Sequence, residues 1–246
     1  VILPPGRAEV QPVELPPSIP KLPYAHVMTK EPTLDVRTPQ LNFHQGKVIV
    51  SHFVSDQTLS SVGQVLETEE GARTVTLGQS ILVKGDGLAI GTRLTALRLL
   101  GRVHGEEPAL NYSVSGALTI EAAVNSQKSI YRARVIQSVG IVETGDQLVT
   151  EAIPDADVQS AGVPGAAEAR IIGGQFSNTR ELFGPYNIVY LKSNQDLQVG
   201  QRLNVYRNPA VRGGGSAVVE GRISIGEVQV AKVAGPYATG IVVQAT

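Results

Sequence analysis

Two segments of the sequence align without a gap, and each contains a glycine two residues before the start of a predicted strand. They are residues 88–98 and 197–207, and in both an apolar residue precedes the glycine, Arg-Leu follows it, and an arginine ends the segment. Glycine adopts the backbone conformations of tight turns without steric cost, so Gly91 and Gly200 are predicted to be turn residues. The repeat therefore favours two related β modules.

A third, shorter copy of this turn covers residues 142–148, where Gly145 takes the place of the other two glycines. A second interpretation is that this strand-entry turn is common in β proteins and recurs here by chance. Two modules are nevertheless the better interpretation, because proline, glycine and aspartate are concentrated in residues 151–165, a composition typical of a linker.

Short β-rich runs bounded by turn residues fill the chain from residue 46 onward. The predicted strands are residues 47–50, 73–77, 80–84, 93–98, 117–122, 131–136, 187–191, 202–206, 226–233 and 237–243. Strict alternation in residues 227–233 is typical of an antiparallel sheet with one solvated face. The best helical candidate is residues 55–66, where apolar residues recur at helical spacing, although Gly63 weakens it.

The start of the chain has a different composition, since nine of the 15 prolines fall in residues 1–39. Proline fixes φ and removes a backbone donor, so residues 1–45 are predicted to form an extended arm or linker. The arm also carries apolar side chains that a purely solvated spacer would not need. Those predicted to contact a partner are Leu15, Ile19, Leu22 and Tyr24.

The predicted organisation follows from these observations. Residues 46–153 form the first β module, residues 154–168 a linker, and residues 169–246 the second β module. The fold class is mostly β, with two small antiparallel modules that are barrel-like or sandwich-like and an extended, proline-rich N-terminal arm.

Charge and composition narrow the function. The chain of 246 residues has 21 Lys and Arg against 22 Asp and Glu, and no basic stripe that could neutralise a phosphate backbone, so nucleic acid is not an expected partner. It has no cysteine, which removes disulfides, thiolate metal sites and thiol catalysis. Its apolar runs are far shorter than the roughly 20 residues of a membrane-spanning helix.

The residues that usually perform catalysis are scattered. The four histidines are His26, His44, His52 and His104, and none forms a pair at metal-ligand spacing. The sequence therefore predicts no catalytic residue, no metal ligand and no cofactor, and the chain is not expected to be an enzyme. The strand arginines are expected to pair with acidic residues on neighbouring strands, and an anion-binding patch is the alternative.

An ordered series of motifs resembles a known family. The series runs through residues 78–85, 91–98, 130–135, 144–148, 169–172, 199–207 and 225–230. In this order the motifs resemble the C-terminal region of LysM-bearing bacterial envelope proteins of the type IV pilus secretin-associated (TsaP) family. They are more distantly similar to the flagellar FlgT C-terminal domain, and the resemblance spans residues from about 59 to the end of the sequence.

The resemblance implies a periplasmic, non-enzymatic protein associated with the outer membrane or peptidoglycan, which self-associates into or joins a ring around a type IV pilus secretin. The proline-rich start resembles the family's connector after the LysM module. No LysM module occurs in the 246 residues, so peptidoglycan binding either belongs to a segment outside this chain or does not apply to it. Residues 208–220 lack the charged insert of the family, which leaves secretin and flagellar partners open.

Three classes of function follow from this reasoning. The leading hypothesis is a structural component of a bacterial envelope machine around a type IV pilus secretin. The alternative is a ring protein of the flagellar basal body. The second is a β module that binds cell-wall glycan or a small anion. The third, an enzyme, would need an unexpected pocket that brings distant histidine, aspartate and serine residues together.

Overall fold

β-Strands dominate the structure, so the predicted fold class is confirmed. The computed structural model describes residues 43–44, 47–105, 109–160, 162–164, 167–175, 183–207 and 223–245. In chain order the strands are β1 (Phe43–His44), β2 (Lys47–Ile49), β3 (His52–Ser55), β4 (Gly63–Val65), β5 (Thr74–Val75), β6 (Ser80–Lys84), β7 (Arg93–Arg102), β8 (Leu110–Asn125), β9 (Ile130–Ser138), β10 (Val142–Glu143), β11 (Gln147–Val149), β12 (Asp155–Asp157), β13 (Val163–Pro164), β14 (Arg170–Gly174), β15 (Ile188–Lys192), β16 (Gln201–Arg207), β17 (Ile223–Ala234) and β18 (Tyr237–Ala245).

Each predicted strand overlaps a strand of the structure, but the helical candidate at residues 55–66 is wrong. The chain turns after β3, where the Ser55 hydroxyl donates to the Gln57 carbonyl at 2.9 Å. Residues 63–65 then form β4, which pairs with β6 and β11. Gly63 permits this close approach, because a Cβ there would lie 2.4 Å from the Lys84 carbonyl oxygen.

Six strands close into the first barrel. Their order is β8, β7, β11, β4, β6, β9 and back to β8, and every neighbouring pair is antiparallel. Strand β8 is long enough to pair with β3 along its first part and with β9 along the rest. The interior is filled by alternating apolar side chains, including Val65, Ile81, Leu94, Ile120 and Leu148.

The second module forms a sheet of six strands with β13 of the segment predicted as a linker, in the order β13, β16, β17, β18, β15 and β14. All its pairs are antiparallel except β13 with β16, which is parallel and two residues long. One cluster of buried side chains lies along this sheet, with Val189, Leu191, Leu203 and Val228 among its members.

A third cluster joins side chains from both predicted modules. Phe53 and Tyr112 of the first module pack in it with Tyr190 and Tyr237 of the second. The segment predicted as a linker also contributes, since β12 pairs with β2 and its Ala156 is buried in this cluster. The two modules therefore share a core, while the exact module boundaries stay a prediction.

Tyr190 gives this shared core a pH dependence. Its hydroxyl donates to Asn111 Oδ1 at 2.7 Å, and burial raises the pKa of Tyr190 above its ordinary value. The unfolded chain therefore loses this proton first, so the stabilisation is complete below the ordinary tyrosine pKa of about 10 and decreases as the pH rises above it.

We expect Tyr190→Phe to make the alkaline loss of stability smaller than in the unsubstituted chain. The substitution keeps the ring but removes the titrating hydroxyl, and it leaves Asn111 without that donor at a cost of about 1 kcal/mol near neutral pH. Urea unfolding of both proteins between about pH 8 and pH 11 measures this. Parallel stability curves across that range would contradict the prediction.

Candidate interaction surface

The glycines singled out in the sequence occupy turns of one geometry. Gly91 has φ +84° and Gly200 has φ +85°, values close to those that the third residue of a type II turn requires. In each turn the next residue donates back to the carbonyl two residues before the glycine: Thr92 to Ala89 at 3.1 Å and Gln201 to Gln198 at 3.0 Å.

Each of these glycines also joins its turn to the strand beside it. The Gly91 N–H donates to the Ile120 carbonyl at 2.8 Å, and the Gly200 N–H donates to the Val230 carbonyl at 2.7 Å. Gly145 has φ +96°, and its N–H donates to the Val65 carbonyl at 2.9 Å. The glycine therefore permits the turn and fixes the register of the strand that follows.

The residue after the glycine often completes the turn with its side chain. Gln201 Oε1 accepts from the backbone N–H of Gln198 at 3.0 Å, and Asp146 Oδ2 accepts from that of Glu143 at 3.0 Å. Sequence reasoning did not identify this contact, although polar residues directly after Gly145 and Gly200 were visible as its signal.

Two further turns share the geometry and were not recognised from the sequence as copies. At Gly78, φ is +82° and the N–H donates to the Val135 carbonyl at 2.8 Å. At Tyr186, φ is +65° and the N–H donates to the Val242 carbonyl at 2.6 Å. The turn at Tyr186 has a tyrosine at the position where the other turns have a glycine, so a sequence motif based on glycine does not find it.

The matching hydrogen bonds give a residue-by-residue correspondence between the modules. Strands β6, β7, β8 and β9 of the first barrel correspond to β15, β16, β17 and β18 of the second sheet, and β4 corresponds to β14. In this correspondence Lys84 matches Lys192, because Gln64 pairs with Lys84 and Arg170 pairs with Lys192. The sequence repeat is therefore a repeat of structure.

We expect Gly91→Ala to lower the free energy of unfolding by about 1–2 kcal/mol, the cost of placing an L-residue in the left-handed region. No atom lies within 4 Å of the added Cβ, so the backbone conformation alone causes the loss. Gly184→Ala is the matched control, because its surroundings are equally open and its φ lies outside that region. Equal urea midpoints for the two variants would refute this account.

A buried carboxylate lies beside the third turn. Asp146 is only 1% exposed, and Arg98 Nε donates to its Oδ1 at 2.9 Å. Arg98 Nη1 also lies 3.0 Å from Glu143 Oε2. The hydrogen bond to Asp146 raises the pKa of Arg98, so the guanidinium stays charged and ties β7 to the turn before β11.

Other strand arginines also pair with acidic residues; Arg134 and Arg202 do so across neighbouring strands, as predicted, whereas the partner of Arg132 lies in a turn. Arg132 pairs with Glu69, Arg134 with Glu121, and Arg202 with Glu227 at 3.2 Å. These pairs account for the charge of these arginines without an anionic ligand. Lys232 Nζ lies 2.9 Å from Glu151 and joins the second sheet to the end of the first module.

The glycine turns present apolar side chains to solvent. The residue directly before the glycine is Leu77 in one copy, Ile90 in another and Val199 in a third, and these side chains are 61%, 68% and 58% exposed. A second set of exposed apolar side chains lies at the end of β16 and the start of β17, where Tyr206 pairs with Ser224 and Arg207 pairs with Ile223. Tyr206, Ile223 and Ile225 are 48%, 54% and 36% exposed.

Among the residues that the structure describes, no three His, Asp or Glu side chains gather where they could hold a metal ion, and none of the helical segments has the length and hydropathy to cross a membrane. The predicted partner-contact residues Leu15, Ile19, Leu22 and Tyr24 lie outside the described residues.

Comparison of the sequence with protein-family models and with curated proteins found no match in either set.

Proposed function

We propose that this chain is a non-enzymatic structural component of a bacterial envelope machine, which self-associates and forms or joins a periplasmic ring around a type IV pilus secretin. The observation that carries the proposal is the set of exposed apolar side chains at one end of the β16–β17 pair, namely Tyr206, Ile223 and Ile225. Large exposed apolar side chains concentrated in one region of a protein are typical of a surface that binds another protein.

Two further features support a contact function. The apolar tips Leu77, Ile90 and Val199 project from turns that are held by backbone hydrogen bonds, so binding would order little additional backbone and cost little entropy. The sequence of the arm adds Leu15, Ile19, Leu22 and Tyr24, which would bind a neighbouring copy.

The secretin partner and the periplasmic location rest on the resemblance to the envelope family and on the order of its motifs. The alternative is that the chain makes the same kind of contact within a flagellar basal-body ring. Cell fractionation followed by co-purification with secretin-containing outer membranes or with flagellar basal bodies would separate the two. Recovery of the chain only in the cytoplasm would refute both.

Light scattering of the full chain tests self-association. We expect a mass above that of the 26.0 kDa monomer, and we expect replacement of Leu15, Ile19, Leu22 and Tyr24 together by serine to lower that mass. The matched control replaces the arm residues Glu9, Gln11, Glu14 and Lys21 by serine and should keep the larger mass. A monomeric unsubstituted chain at every concentration would refute the proposal.

A further inference from the structure

Strand β11 is the element that closes the first barrel. It lies between β7 and β4, where Gln147 pairs with both Leu97 and Gln64. The Val65 N–H donates to the Asp146 carbonyl at 2.9 Å, and Leu148 points into the interior. With this strand in place Val65 is fully buried.

The second module has counterparts of β4 and β7 but no described counterpart of β11. Its sheet ends at β14 on one side. On the other side, the edge of β16 that faces away from β17 pairs only with the two residues of β13. Those two residues cover Gln201 and Arg202, so Asn204, Val205 and Tyr206, which correspond to the part of β7 that β11 covers, have no described strand on their outer edge.

The side chains beside this gap are more exposed than their counterparts. Ile171 corresponds to Val65 and pairs across the sheet with buried Leu191, yet it is 36% exposed where Val65 is 0% exposed. Val205 corresponds to Ala96, and it is partly buried where Ala96 is fully buried. Along β14 and β16 the second module therefore exposes positions whose counterparts are buried in the first barrel, and we call these two strand edges the open slot.

The occupant that the slot fits is an extended strand with apolar residues at alternate positions. Such a strand would satisfy the backbone edges of β14 and β16 and place its apolar side chains against Ile171 and Val205, as β11 does in the first barrel. Within the arm, residues 33–38 have the sequence Thr-Leu-Asp-Val-Arg-Thr between Pro32 and Pro39. Leu34 and Val36 alternate with polar residues, and no proline interrupts the run, so each backbone N–H can join a ladder.

We propose that the open slot binds residues 33–38 of a second copy of this chain, with Leu34 and Val36 facing the interior of the second module. The choice of a second copy rests on the proposed function, in which the arm joins neighbouring subunits. Strand donation of this kind completes a barrel in each subunit and links the copies in a chain that can close into a ring.

Disulfide trapping tests this directly, because the unsubstituted chain has no cysteine. Full-length Val36→Cys and full-length Val205→Cys are prepared separately, mixed and oxidised. We expect at least about tenfold more covalent dimer from this mixture than from Val36→Cys mixed with Ala123→Cys, an exposed position on β8, because strand addition raises the local thiol concentration. Leu34→Cys is a second donor variant, and it would detect the inserted strand if its register differed by two residues.

The outcomes distinguish the possible occupants. A covalent dimer from the mixed single variants supports donation by a second copy. Cross-linking only within the double variant Val36→Cys/Val205→Cys, at monomer mass, would show that the chain fills its own slot and would overturn the proposal. The absence of any cross-link above the control level, with both donors, would overturn it as well.

The same experiments separate this proposal from the proposed function. If light scattering finds oligomers but no donor reaches Val205, self-association stands and the open slot is not its site. If the trapped dimer forms but the protein is absent from envelope fractions, strand donation stands and the envelope function fails. Circular dichroism and urea unfolding of each variant show that the cysteine substitutions leave the fold intact.

Discussion

Replacing Phe53 by alanine is expected to lower the free energy of unfolding by about 4 kcal/mol, the largest effect of any substitution considered for this chain. Phe53 is 1% exposed and stacks on Tyr112, with ring centres 5.4 Å apart. Lys232 Nζ, from the second sheet, lies 4.7 Å from the centre of the Phe53 ring. Truncation to alanine would leave a cavity in the core that both modules share.

Urea unfolding with two probes, tyrosine fluorescence and far-ultraviolet circular dichroism, measures this effect. Phe53→Leu is the matched control, because it keeps most of the side-chain volume and should cost about 1 kcal/mol. Since the shared core joins the modules, we expect both probes to report one transition at a lower urea concentration. An alanine variant as stable as the leucine variant would contradict the packing described for Phe53.

The second large effect is expected for Asp146→Ala, at about 3 kcal/mol. The substitution removes the buried carboxylate that accepts from Arg98 and from the Glu143 backbone N–H. Arg98 would keep only Glu143 as an acidic partner, and the turn before the closing strand β11 would lose its side-chain acceptor. The expected loss of unfolding free energy lies at the low end of the range for breaking a buried ion pair, because Arg98 is partly exposed to solvent.

Glu143→Gln is the matched control for Asp146→Ala, because it removes the charge of the other acidic partner of the same arginine. The Glu143 side chain is exposed to solvent, so the loss of its charge should cost at most about 0.5 kcal/mol. Asp146→Asn should fall between the two, since the amide keeps an acceptor for the turn but loses the charge. We expect the urea midpoint to be highest for Glu143→Gln, intermediate for Asp146→Asn and lowest for Asp146→Ala. Equal midpoints for Glu143→Gln and Asp146→Ala would refute this assignment.

Local pattern was sufficient to predict ten of the described strands, but β1, β3, β4 and β10 to β14 were not predicted. Residues 80–84 were predicted as a strand and form β6 with the same bounds, and residues 237–243 lie within β18. Both runs are rich in β-branched or apolar residues and are bounded by turn residues, so their conformation depends on neighbours close in sequence. The helical candidate at residues 55–66 failed because tertiary pairing of β4 with β6 and β11 outweighed the spacing of three apolar residues.

The turn repeat was only partly visible in the sequence. Gly91, Gly145 and Gly200 share a motif, and the structure gives each a positive φ. The turn at Tyr186 has the same hydrogen bonds, but a tyrosine occupies the position where a glycine would have signalled it. Its backbone is held by partners that are distant in sequence, such as the Val242 carbonyl, so no local pattern could identify it.

The candidate site was also only partly predictable from the sequence. Alternation in residues 227–233 predicted a strand with one solvated face, but Gln229 and Ala231 are buried as well as Val228 and Val230, because both faces of this strand are covered. The exposure of Ile171 and Val205 depends in the same way on whether a strand lies beside them. The family resemblance and the envelope function stay predictions, as does the contact role of the arm residues, which lie outside the described part of the chain.

The sequence by itself determined the longer strands and the turns that a glycine marks, because backbone preference and alternation of apolar residues act over a few neighbouring positions. Only the tertiary structure decided that one copy of the repeat closes while the described part of the other stays open. Closure depends on a strand near residue 148 lying between strands near residues 64 and 96. Such pairing is set by packing between distant segments, which the local sequence does not encode.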